Sequence, residues 1–290
     1  MQQRISVIGG DMRQVYLARM LLEEGQDVVT WGLEKGEGPR PVPLHMALEA
    51  DILILPLPVC RGGKLNLPLT DTALNPEQLW PRLRYDQLVL GGMTGELAPR
   101  LMTEFGLTVV DYYDREELQV ANAVPTAEGA IQRVMEATDV TLHGSRCLVL
   151  GFGRVGRLLA DRLKALGARV TVAARRYSDL AWMEALGFES LAIKALPGHL
   201  SGFDVIFNTV PAPLLDAARL REVGEGCLLV ELASAPGGID AGVAAALGRR
   251  LLPMPSLPGA VAPRTAAKAI YGSIRHILEE RGEPMRRTYG

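Results

Sequence analysis

Residues 148–176 read LVLGFGRVGRLLADRLKALGARVTVAARR. An apolar run meets Gly151, Gly153 and Gly156 at GxGxxG spacing, a stretch with apolar residues at helical intervals follows, and a second apolar run closes the segment. Strand, glycine turn, helix and strand in about thirty residues is the layout of a dinucleotide-binding unit. Gly151 makes the tight turn, Gly153 lets backbone approach a pyrophosphate, and Gly156 lets the helix pack on the strand. The helix start adds unpaired N–H groups and partial positive charge. Gly151, Phe152, Gly153, Arg154, Val155 and Gly156 are therefore expected to hold a cofactor.

The end of the second strand selects which cofactor. An acid there would accept hydrogen bonds from a ribose with free hydroxyls and repel a 2′-phosphate; here Ala174 is followed by Arg175 and Arg176. Guanidinium groups pair with phosphate through charge-assisted hydrogen bonds. At roughly 1.5–3 kcal/mol each, one such bond favours NADP over NAD by about tenfold or more. NADP is the expected cofactor.

Outward from this segment, RCLVLGFG, GARVTVAA, GFDVIFNTV, GCLLVELA and RRLLPMPS are strand candidates separated by helical stretches. RISVIGG, DVVTWG, ADILILPL, DQLVLGG and GLTVVDYY repeat the alternation in the first half. GLEKGEGPRPVP and PVCRGGKLNLP, dense in Gly, Pro and charge, read as surface loops. PTAEGAIQRVMEATD suits a linking helix starting at Pro125, and APRTAAKAIYGSIRHILEERG a long amphipathic helix starting past Pro263 that crosses back to the first domain. The expected fold is α/β: two doubly wound Rossmann-like domains with mainly parallel sheets, a linking helix and a C-terminal crossing helix. The expected domains are 1–120, completed by 263–290, and 121–262. Asn208, Thr209, Val210 and Pro211 end one strand of the second domain and Ala233 follows the next, at the edge where open α/β sheets bind ligands. They should border the cofactor.

Composition agrees and narrows the function. The chain of 290 residues is 48% hydrophobic, enough for two cores. Net charge of −2 leaves no global attraction to nucleic acid or an anionic membrane. With neither an apolar run of spanning length nor a signal-peptide pattern, a cytoplasmic location is expected. Cys60, Cys147 and Cys227 lack CxxC spacing and the four histidines are isolated, so buried thiols and no metal site are expected.

VIGGDMRQ at 7–14, ANAVPTAEGAIQ at 121–132, TDVTLHGSRCLVLGFGRVG at 138–156, LASAPGGID at 232–240 and LPGAVAPRTAA at 257–267 together resemble the family of the dipicolinate synthase A subunit over nearly the whole length. The resemblance implies an enzyme of the mother-cell cytoplasm of a spore-forming bacterium. It also implies a partner, the flavoprotein-like B subunit, and a homo-oligomer within a hetero-oligomer. The implied reaction makes pyridine-2,6-dicarboxylate from a cyclic hydroxy-tetrahydrodipicolinate of the lysine pathway.

A small dicarboxylate needs cationic or N–H donors at fixed separation. Asp11 and Arg13 open the first helix, Thr94 lies in GGMTGE after another strand, and Arg264 and Thr265 open the last helix. These, with Thr126, are the expected substrate-binding residues, Thr126 having helix capping as its alternative. Asn122 and Glu128 on the linking helix are the catalytic candidates, Glu128 as proton acceptor. Other two-domain dehydrogenases of hydroxy or amino acids share the architecture. A non-catalytic nucleotide-binding subunit is the reading from another class.

Overall fold

Alternating apolar strands and amphipathic helices build two all-parallel sheets, each with helices on both faces. The computed structural model describes residues 3–283 and 285, divided between a first unit, Met1–Asn122 with Ala262–Gly290, and a second, Ala123–Val261.

In the first unit β1 (Arg4–Ile8), α1 (Met12–Glu23), β2 (Asp27–Trp31), α2 (Leu44–Ala47) and β3 (Ile52–Ile54) precede a hairpin of β4 (Cys60–Arg61) and β5 (Lys64–Leu65). Then come α3 (Pro76–Leu79), β6 (Leu88–Gly91), α4 (Leu97–Phe105) and β7 (Thr108–Asp111). The five-stranded sheet has the order β2-β1-β3-β6-β7. Side chains alternate between faces. Ile5 and Val7 pack with α1, whereas Ile8 packs with Leu53, Trp80 and Leu101.

The expectation that PVCRGGKLNLP is only surface loop is corrected here. Val59, Leu65 and Asn66 are buried, and Cys60–Arg61 pairs antiparallel with Lys64–Leu65. Glycine density marked the two-residue turn, and the apolar residues beside it supply the anchor.

α5 (Glu116–Ala137) follows β7. It begins nine residues before Pro125, which lies inside the helix, so the expected start at Pro125 and the capping alternative for Thr126 do not hold. A mid-helix proline costs about 3 kcal/mol. Burial of Leu118, Ala123, Ala127, Ala130 and Val134 along the same helix offsets that cost.

The second unit continues with β8 (Arg146–Leu150), α6 (Arg154–Ala165), β9 (Arg169–Ala174), α7 (Tyr177–Ala185), β10 (Glu189–Ala192), β11 (Val205–Asn208) and α8 (Ala217–Glu222). It closes with β12 (Leu228–Glu231), α9 (Ala241–Ala246), β13 (Arg250–Pro253) and α10 (Leu257–Val261). The order β10-β9-β8-β11-β12-β13 is, numbered within the unit, 3-2-1-4-5-6, the dinucleotide-binding order. The first unit, 2-1-3-4-5 without its hairpin, has the other common doubly wound order. In the second sheet Val149, Val172 and Phe207 face α5 and α6, while Leu148, Ala173 and Ile206 face the opposite core.

α11 (Pro263–Glu280) returns to the first unit with proline at its first turn and packs on α1 through Ile270, Ile274, Ile277 and Leu278. Among the described residues no helix is long and apolar enough to cross a membrane.

Candidate dinucleotide site and the carboxyl edges

The glycine turn of the second unit lies where its strand order reverses, between β8 and β11. Each glycine meets a different constraint. Gly151 has φ +102°, and a Cβ there would lie 2.4 Å from Thr209 Oγ1. At Gly156 a Cβ would lie 2.2 Å from the Gly151 carbonyl oxygen, so β8 and α6 can meet this closely only with glycine. Gly153 has neither constraint: its φ is −79° and a Cβ would meet nothing within 4 Å. Open space above an N-cap residue is what a bound phosphate needs.

Arg154 is exposed and Val155 half-buried at the helix start. Phe152 is buried and packs edge-on to Phe188. Its carbonyl accepts from Arg157 Nε at 2.9 Å, and the Arg157 guanidinium covers its ring at 4.8 Å.

At the end of β9, Ala174 is buried and Arg175 exposed. The Arg175 guanidinium makes no hydrogen bond or ion pair to any described residue. Arg176 is engaged: its Nε and Nη2 donate to Asp179 Oδ2 and Oδ1 at 2.8 and 3.0 Å. Arg157 Nη2 stands 3.6 Å from the same buried carboxylate. Sequence reasoning noted the missing acid at the strand end but overlooked Asp179 in the next helical turn, which the i, i+3 spacing from Arg176 could have shown. Lys194 Nζ lies 3.1 Å from the Tyr177 hydroxyl, adding a fourth cation to this edge.

Asn208 is fully buried and acts on neighbouring backbone. Its Nδ2 donates to Glu231 Oε1 at 2.7 Å and to the Val210 carbonyl at 3.0 Å, while its Oδ1 accepts from Val210 N–H. Glu231 Oε1 also accepts from Ala233 N–H, and Oε2 accepts from the N–H groups of Gly238 and Ile239. The loops after β11 and β12 are thus tied to one carboxylate. Thr209 is tied to the glycine turn through the Leu150 carbonyl, and Pro211 is exposed. Glu231 was missed in the sequence, although an acid closing an apolar strand before SAPGG is a visible signal.

The linking-helix residues do not converge. Asn122 and Thr126, four apart, share a face of α5, whereas Glu128 is turned about 200° from Thr126. Glu128 is exposed and lies 3.4 Å from Arg162, about 12 Å along α6 from the glycine turn. Glu128, the expected proton acceptor, thus lies beside Arg162 and away from the glycine turn.

In the first unit Asp11 caps α1 and takes Arg13 Nε and Nη2 on its two oxygens at 2.9 and 2.8 Å. Arg13 Nη2 also donates to the Leu57 carbonyl at 2.5 Å. Buried and so engaged, Arg13 is an internal strut, not the open carboxylate clamp expected of it. Burial alone would raise the pKa of Asp11; the hydrogen bonds and charge of Arg13, with the charge of Arg61, hold it below the usual carboxylate range. Thr94 N–H and Oγ1 both donate to Asp111 Oδ2, which leaves neither donor for a substrate carboxylate.

Arg264 and Thr265 are exposed and line a groove of about 630 Å³ with Met20, Glu23 and Glu24. That is the far end of α1 from Arg13, roughly 15 Å along the helix axis from Arg13 to Glu23, so these residues do not join Arg13 within the unit. The Gly9–Gly10 turn is itself filled: Gly10 N–H donates to the Asn66 carbonyl, and a Cβ on Gly9 would lie 2.3 Å from Leu67.

One open glycine turn in a six-stranded sheet of dinucleotide-binding order defines a dinucleotide-binding protein of the dehydrogenase type. Residues 117–247 match the NAD binding domain of D-isomer specific 2-hydroxyacid dehydrogenases, and residues 4–113 match the N-terminal domain of the dipicolinate synthase A subunit. The chain is 30% identical over 286 residues to the dipicolinate synthase A subunit of Bacillus subtilis strain 168, covering 96% of each. The crystal structure of the dipicolinate synthase A subunit from Bacillus halodurans superposes with a TM-score of 0.87 at 30% identity, over 95% of this chain and 97% of that one. The chain belongs to the family of dipicolinate synthase A subunits. A transhydrogenase from Sinorhizobium meliloti shares the fold, with a TM-score of 0.72 at 19% identity over 96% of this chain and 94% of that one.

Proposed function

We propose that this chain is the NADP-dependent oxidoreductase subunit of a dipicolinate synthase. The observation that carries the cofactor choice is Arg175, whose unengaged guanidinium stands at the end of β9 where an NAD site would place an acid. Gly153 and the start of α6 would receive the pyrophosphate, and Arg175, Arg176 and Arg157 the 2′-phosphate. The loops fixed by Asn208 and Glu231 would border the nicotinamide end.

The substrate reading rests on the family. Hydroxy-tetrahydrodipicolinate loses water to give a dihydro ring. That ring yields the aromatic pyridine-2,6-dicarboxylate by giving up a hydride and a proton. A bound oxidised nicotinamide would supply the hydride acceptor. The chain's own part is to bind, to orient the ring and to give the proton a path. With Glu128 turned away, Asn122 stays the candidate for orienting substrate. Action with a flavoprotein-like B subunit in the mother-cell cytoplasm belongs to the same reading.

The test is direct. The purified chain, alone and with the B subunit, is mixed with enzymatically generated substrate and either NADP or NAD, and pyridine and reduced-cofactor absorbance are followed. NADP-dependent appearance of both supports the proposal; no cofactor reduction in any mixture removes the enzyme reading.

A further inference from the structure

With Arg13 spent on Asp11 and Leu57, the first unit needs other cations if it is to recognise carboxylates. The β4–β5 hairpin carries two. Cys60 pairs with Leu65 and Arg61 with Lys64. Leu65 is buried, and Cys60 packs beside it among Ile8, Leu55 and Val59. Side chains of a strand alternate between faces, so Arg61 and Lys64 stand together on the face turned from that core. Both are exposed, and Gly62 and Gly63 at the tip border open space.

Two cations directly opposite in an antiparallel pair repel each other. The fold nevertheless holds them there firmly. Asn66 N–H donates to the Val59 carbonyl and its Nδ2 to the Pro58 carbonyl, while its own carbonyl receives Gly10 N–H. The hairpin is thereby fixed to the carboxyl end of β1. Arg61 lies near enough to Asp11 to act on its ionisation. The Lys64 ammonium meets no described partner. Asp11 is already engaged by Arg13, and Arg61 and Lys64 add two further positive charges to this edge on a hydrogen-bonded support.

We propose that Arg61 and Lys64 recognise the carboxylates of a small dicarboxylate substrate. The paired cations, held on one face, favour a ligand with two negative groups over one. The inference rests on the proposed dipicolinate synthase reading and adds binding residues that neither the glycine motif nor the first-helix residues supply.

Calorimetric titration of the full chain with pyridine-2,6-dicarboxylate, pyridine-2-carboxylate and NADP tests it. Arg61→Ala with Lys64→Ala is expected to weaken dicarboxylate binding by about tenfold or more, and monocarboxylate binding by less. NADP affinity should stay within about twofold. In turnover the substrate KM should rise with kcat retained. The charge-keeping variant Arg61→Lys with Lys64→Arg should bind the dicarboxylate within about threefold of the natural chain. Unchanged dicarboxylate affinity in the alanine variant overturns this inference and leaves the proposed function standing. Failure of the natural chain to bind the dicarboxylate overturns both.

Discussion

Asn208 Nδ2 donates to Glu231 Oε1 at 2.7 Å, and the Glu231 carboxylate accepts three backbone N–H groups besides. A half-buried carboxylate with four donors is well compensated for leaving water, and each donor depends on it. Glu231→Gln puts an amide N–H where an acceptor is needed. The expected loss is about 2–3 kcal/mol in unfolding free energy, with weaker nicotinamide-dinucleotide binding, measured by denaturant melts and cofactor titration. Full stability in the variant would show that the loop after β12 holds its shape without the carboxylate.

Arg175 and Arg176 are adjacent but bonded differently, and their alanine variants should separate. Arg175→Ala removes a guanidinium with no described partner, so NADP affinity should fall about tenfold with NAD affinity and stability unchanged. Arg176→Ala also strips Asp179 of its bidentate partner and leaves a buried carboxylate beside the proposed phosphate position. NADP binding should fall at least as far, with a small loss of stability. Equal losses of NAD and NADP affinity in Arg175→Ala would refute the phosphate assignment.

Gly153 and Gly156 should likewise separate binding from folding. Gly156→Ala sets a Cβ 2.2 Å from the Gly151 carbonyl, so β8 and α6 must part and the second unit should lose several kcal/mol. Gly153→Ala has ordinary φ and open space, so its melting should match the natural chain within roughly 0.5 kcal/mol while dinucleotide affinity drops. A Gly153→Ala chain that binds normally would place the pyrophosphate elsewhere.

The parts legible in the sequence are those decided by local backbone geometry. GxGxxG at 151–156 specifies its own turn, and the apolar runs around it specify parallel strands whatever lies further along the chain. Longer-range pairing is another matter. Nothing near VIGG shows that Leu67 and Asn66 fill that turn, or that Asp11 and Leu57 consume Arg13. The face of Glu128 was available from helical arithmetic, since Asn122 and Thr126 are four apart and Glu128 breaks that spacing. Pro125 hid it by resembling a helix start when burial on both sides carries α5 through.

The filled first-unit turn sets a binding stoichiometry. Gly10 N–H is spent on the Asn66 carbonyl and Leu67 lies over Gly9, so of the two strand-to-helix glycine turns after β1 and β8, the one after β8 is open. Equilibrium dialysis should return about one nicotinamide dinucleotide per chain, falling to nearly none in Gly156→Ala. Two sites per chain would contradict the filled turn.

Cys147 and Cys227 give a pH dependence of defined sign. Both are buried, Cys147 on β8 and Cys227 just before β12, and burial, aided by the charge of Asp204, pushes each thiol up to about 12 from an ordinary 9.0. The folded chain keeps these protons after the unfolded chain has lost them. Their contribution to stability is therefore whole below about pH 9 and is lost as pH climbs towards about 12. Urea unfolding midpoints measured from about pH 8 to about pH 11 should fall. In Cys147→Ala with Cys227→Ala the starting stability should be lower, because two buried sulfurs leave small cavities, but the fall with pH should be shallower. Parallel curves for the two chains would mean that the thiols titrate alike folded and unfolded.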